Sequence, residues 1–151
     1  MKYIILIYQW QHSIIALYEI YWFIDNYFRN LDMSIYVSYM YEKAVVVAKN
    51  HYYFLERGDY EKWLETLIKD LQRSASIRGS SPYFWWNTGR RYVTEYGIHY
   101  EFYKIDLDQS NDRRVKIFFK RLNPDGTLRG IPVPIRLVLE DNEWKVFQAS
   151  Y

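Results

Sequence analysis

Cysteine is missing from all 151 residues. Its absence excludes disulfides, thiol nucleophiles and zinc–thiolate sites. It also fits a reducing compartment, so the cytoplasm is the expected location. An excess of charge is missing too: 20 basic and 18 acidic residues leave a net +2. That is too weak a field to draw the chain to nucleic acid or anionic lipid, and no nucleic-acid partner is expected. Histidine is scarce, and His12, His51 and His99 share no ligand spacing, so neither a metal nor a cofactor is expected.

No stretch reads as a signal peptide or a spanning helix. The uncharged run from Tyr3 to Tyr18 is interrupted by Gln9, Gln11, His12 and Ser13 without a small-residue cleavage site. Glu19 then precedes the apolar stretch Ile20 to Ile24, and a span would place these polar groups in hydrocarbon. Residues 1–32 are read as a separate apolar segment, helical and packed on the rest of the chain or in an oligomer. The alternatives are an interfacial anchor giving peripheral membrane contact, which is not favoured, and translation from an upstream start with Met33 as the natural beginning.

Half of the chain is apolar and 21% aromatic, with 17 Tyr and 6 Trp. This is the composition of one globular domain, assigned to residues 33–151. Tyr and Trp join a large apolar face to a polar tip and suit a core that opens onto a cleft or an interface; a compositional habit of the source would look the same. A helix is predicted from Ser34 to Arg57, with Asp32 or Ser34 as N-cap and Met40, Ala44, Val47, Ala48, His51, Phe54 and Leu55 on one face. Gly58 ends it and Asp59 caps the next, where Tyr60, Trp63, Leu64, Leu67, Ile68 and Leu71 repeat at helical spacing. A loop from Gln72 to Pro82 leads to a third helix, Tyr83 to Tyr96, ending at Gly97.

From Ile98 the period changes to two. Ile98, Tyr100 and Phe102 alternate with His99, Glu101 and Tyr103; Val115, Ile117 and Phe119 with Arg114, Lys116 and Lys120; and Ile131 through Leu139 with Pro132 through Glu140. Asn123-Pro124-Asp125-Gly126 and Glu140 to Glu143 are turns, and Trp144 to Tyr151 is the last strand. Pro132 and Pro134 remove two ladder donors on one side, so that stretch must lie at an edge or a bulge there. The class is α+β, with N-terminal helices packed on a curved antiparallel sheet.

Three phrases in this order resemble the NTF2-like superfamily: Tyr52-Tyr53-Phe54-Leu55-Glu56-Arg57-Gly58-Asp59-Tyr60-Glu61-Lys62-Trp63, the hairpin Asn123-Pro124-Asp125-Gly126-Thr127, and Asp141-Asn142-Glu143-Trp144-Lys145-Val146. The similarity covers residues 34–151. It implies a cone, a curved sheet wrapped against helices with a pocket at the open end; a homodimer is expected as well. It does not imply one activity, since the superfamily holds isomerases, dehydratases and cyclases beside non-catalytic binding and dimerisation domains.

The residues expected at such a pocket are His51, Trp63, Trp86, Tyr100, Phe102, Phe119 and Gln148. His51 stands out, a titratable ring in the middle of an apolar helix face. It could act as a general base with a tyrosine hydroxyl polarising a carbonyl, or be a buried histidine hydrogen-bonded to a tyrosine or a carbonyl. The superfamily's carboxylate-base and acid–arginine–acid patterns find no match here, because Glu101 and Asp106 lie on opposite strand faces. Non-catalytic binding of a small apolar ligand, or self-association through the sheet, is the expected function. A His51-dependent isomerase, dehydratase or cyclase is the alternative.

Overall fold

Residues 41–57 form helix α1, whose buried stripe is Tyr41, Ala44, Ala48, His51, Tyr52 and Leu55. This spacing carries one face of a helix into a core. The computed structural model describes Tyr39 and residues 41–151, and Tyr41–Tyr151 form one compact unit. The expectations for residues 1–32, for the helix start at Asp32 or Ser34 and for Met40 lie outside the described residues. Compared with the predicted face, the stripe is turned toward Tyr52, and Val47 and Phe54 are only half-buried. Tyr52 is drawn in because its ring stacks on Tyr100 at 4.4 Å and tilts over Phe119 at 4.6 Å.

Gly58, at φ +73°, closes α1, and the Asp59 carboxylate accepts the Lys62 N–H to cap α2, Tyr60–Glu65. The predicted helix continued to Leu71, but the chain breaks at residues 66–68 before α3, Lys69–Ser74. The cause is the free edge of the last strand. Val146 N–H donates to the Thr66 carbonyl at 2.8 Å and Ile68 N–H to the Val146 carbonyl at 3.0 Å. Those bonds replace helical ones and cover an edge that would otherwise offer itself to another chain. Helix α4, Ser81–Tyr96, starts on a Ser80 cap with Pro82 in its first turn and ends at Gly97, φ +64°. The loop predicted for Gln72 to Pro82 is therefore shorter, its two ends belonging to α3 and α4.

Helix α4 docks on the C-terminal end of α1. Arg90 Nη1 donates to the Leu55 and Glu56 carbonyls at 2.7 and 2.9 Å, satisfying acceptors that a helix end leaves open. Gly89 gives the close approach: a Cβ there would fall 2.8 Å from Leu55 Cδ2 and from Tyr151 Cδ1.

Four antiparallel strands follow in the order β1-β2-β3-β4: His99–Ile105, Arg114–Leu122, Val133–Glu140 and Glu143–Ala149. Asp141 and Asn142, at φ 49° and 65°, make the two-residue hairpin between the last two. Bulges between Phe102 and Lys104 and between Arg136 and Leu137 bend the sheet. Its inner face carries Tyr100, Val115, Ile117, Phe119, Val133, Ile135, Leu137, Trp144 and Val146, all buried. Burying such side chains contributes about 1.5–3 kcal/mol each. The molecule is α+β, helices packed on a curved antiparallel sheet.

Pro134 lies where the prolines required. Its carbonyl accepts the Ser150 N–H at 3.1 Å, so its missing donor faces β4 at the point where that strand runs out, next to the bulge. Ile131, expected inside, is 80% exposed because β3 begins only at Val133, after Gly130 at φ +68° and Pro132. Among the described residues no helix is long and apolar enough to cross a membrane.

Candidate functional site

His51 is fully buried, and each of its nitrogens is engaged. Nδ1 lies 2.7 Å from Thr66 Oγ1; Nε2 lies 2.7 Å from the Tyr151 hydroxyl and 3.1 Å from Trp63 Nε1. The Thr66 hydroxyl donates its only proton to the Trp63 carbonyl at 2.6 Å. Toward His51 that oxygen can only accept, which places the imidazole proton on Nδ1. Nε2 is then the acceptor for both the Trp63 N–H and the Tyr151 O–H. The bonds among His51, Thr66 and Trp63 form a closed ring with every polar atom paired.

Burial lowers the His51 pKa from its ordinary 6.5 to about 3. A proton on Nε2 would, in addition, set the Trp63 and Tyr151 donors against a third donor. Tyr52 and Tyr151 have pKa values pushed well above 10, first by burial and then by neighbouring phenols, so neither is an acid near neutrality. The ring is neutral, its lone pair is spent, and its surroundings are aromatic: Tyr52, Trp63 and Tyr151 lie 5.4, 5.4 and 6.0 Å from it between ring centres. A general base needs a lone pair directed at a substrate proton. His51 is a buried, hydrogen-bonded histidine instead.

The other expected pocket residues divide into groups. Trp63 and Phe119 are fully buried, and Tyr100 is 5% exposed. These three surround Tyr52 and His51 as packed core. Phe102 is half-buried at the sheet edge, edge-on to Phe119 at 6.1 Å and under the Lys49 ammonium at 5.4 Å. Trp86 meets Trp63 at 5.1 Å but opens outward, lining a cleft of about 280 Å³ with Tyr60, Ala75, Ser76, Tyr83 and Asn87. Gln148 does not join them. The bulge opposite Arg136 and Leu137 puts one extra residue into β4 between Val146 and Gln148 and inverts the alternation, so Ala149 is buried and Gln148 is exposed. Glu101 points outward as expected, toward Lys120 at 3.6 Å.

Two residues outside the expected set complete the inner face. Tyr151 supplies the hydroxyl on His51 Nε2. Arg121 pairs directly across from Tyr100 on the neighbouring strand, which puts both side chains on the same face at the end of the sheet. Its Nη1 donates to the Tyr151 carbonyl at 3.1 Å, while its Nε and the Tyr100 hydroxyl are buried without a hydrogen-bond partner. The signal was in the alternation: Val115, Ile117 and Phe119 continue to Arg121. Among the described residues no group of three or more histidine and carboxylate side chains is placed to hold a metal ion. No protein-family model matches the chain, and no curated protein matches it either.

Proposed function

We propose that the chain is a non-catalytic binding domain of the NTF2-like kind, holding a small apolar ligand at the end of the inner sheet face and working in the cytoplasm. The observation that carries this reading is the closed ring around His51. The side chain that the sequence singles out for proton abstraction has no free nitrogen and stays neutral, with its pKa at about 3. Beside Tyr100, the residues Tyr92, Phe102, Arg121 and Tyr151 are half-buried next to the filled core. Apolar walls with a few polar groups are what a binding pocket needs.

The test is a thermal-shift screen of apolar ketones and acids on the full chain, wild type against His51→Gln. Ligands should raise the Tm of both proteins alike, and no substrate should turn over. Turnover that His51→Gln abolishes would end this reading.

Self-association through the sheet is supported by a separate observation. Phe118, Val138 and Phe147 lie half-buried on the outer face, the last two lining a cleft of about 210 Å³ with Ile68 and Arg114. A homodimer built there should dissociate in light scattering on Phe147→Lys. A dimer that survives the change does not use this face.

A further inference from the structure

The inner face ends in two buried donors with nothing to donate to, and we infer that they receive the carboxylate of a small apolar acid. The inference rests on the binding-domain reading and names the class of its ligand. Buried polar groups are almost always paired. Here two unpaired ones, Tyr100 Oη and Arg121 Nε, belong to residues directly opposed on β1 and β2.

The guanidinium is half committed. Nη1 is spent on the Tyr151 carbonyl, which leaves the edge made by Nε and Nη2. Nη2 has no hydrogen bond to any described residue, and Gly130 lies against it so closely that a Cβ there would come within 3.1 Å. Two parallel N–H groups on one edge match the two oxygens of a carboxylate.

Tyr100 supplies the third donor. Burial raises its pKa while the Arg121 charge draws it down and Glu56 adds to the rise, so the phenol keeps its proton and the two donors feel each other's field. No carboxylate of the described residues lies within 4.0 Å of Arg121. The nearby Glu56 is held elsewhere, by the Tyr100 N–H at 2.7 Å and by His99 Nδ1 at 2.8 Å. The rings beside the pair belong to Tyr52, Phe119 and Tyr151, and the two phenols are committed to the Ser150 carbonyl and to His51, so the surroundings are apolar and give a phosphate's remaining oxygens no donors.

The experiment is calorimetric titration of the full chain with octanoate, its neutral isostere octanamide, and inorganic phosphate, with Tm followed in parallel. Octanoate should bind and raise Tm, and octanamide and phosphate should bind at least tenfold more weakly. Arg121→Gln and Tyr100→Phe should each weaken octanoate roughly tenfold to a hundredfold, the worth of a hydrogen bond to a charged group. Tyr100→Phe removes an unpaired hydroxyl from the core, so its unliganded Tm should equal or exceed that of wild type. A loss of affinity in this variant therefore reports the site and not the fold. Equal binding of octanoate and octanamide would overturn the carboxylate site and leave the binding-domain reading standing. Phosphate binding as tightly as octanoate would overturn the apolar-acid class, as would wild-type octanoate affinity in Tyr100→Phe. No binding by any probe would sink both readings.

Discussion

Replacing His51 by glutamine takes a titratable ring out of the core and leaves an acceptor near the place of Nε2. In the folded wild type the ring stays neutral, its pKa lowered to about 3 from 6.5 by burial. Between those values the unfolded chain binds the extra proton, so the stability tied to the neutral ring is fully present above about pH 6.5 and is lost as pH falls. At pH 5 the folded ring is still neutral, and protonation of the unfolded chain alone sets the loss. It amounts to about 2 kcal/mol relative to pH 7. Tyr52 and Tyr151, which face the ring, have raised pKa values and do not titrate in this window. Carboxylates elsewhere contribute equally to both proteins and cancel in the comparison. At pH 7 His51→Gln should be about 1–2 kcal/mol less stable, because Thr66 Oγ1 loses its donor. At pH 5 that gap should close or reverse. Urea unfolding at both pH values measures it. Parallel pH dependence in the two proteins would refute the buried neutral ring.

Other substitutions probe the surroundings. Thr66→Val leaves His51 Nδ1–H without an acceptor and should cost about 1–3 kcal/mol in urea unfolding, whereas Thr66→Ser should stay within about 1 kcal/mol of wild type. Gly89→Ala improves helix propensity yet drives a methyl against Leu55 and Tyr151; a net loss of about 1–2 kcal/mol and a lower Tm are expected. Gln148→Ala should change stability by less than about 0.5 kcal/mol, and Val146→Ala should cost about 2 kcal/mol; the reverse order would contradict the bulged register of β4.

Most of the fold could be read from local pattern. The period-two alternation of β2 and the first half of β3, the Gly58 and Gly97 helix ends, the Asp59 cap and the Asn123 turn all depend on neighbours in sequence, and each was legible there. What stayed hidden depends on distant partners. The helix from Tyr60 stops at Glu65 because Val146, far along the chain, offers its backbone to residues 66–68. Gln148 faces outward because of one extra residue in β4, a bulge that no composition signal marks. His51 could be placed at the centre of a buried face but not given a role, because its three partners come from α2, from the break after it and from residue 151. Arg121 was legible by parity and passed over, since a charged residue on the inner face runs against the hydrophobic pattern that finds strands.

Whether His51 is a locked structural ring or a working base is settled most directly by nitrogen-15 NMR of the imidazoles between pH 5 and 8. With the ring locked, one of the three histidines shows its proton on Nδ1 and an unprotonated Nε2, with shifts that do not move across the range. A His51 signal that titrates near neutrality, or that carries its proton on Nε2, would contradict the closed ring and return the imidazole to the list of candidate bases.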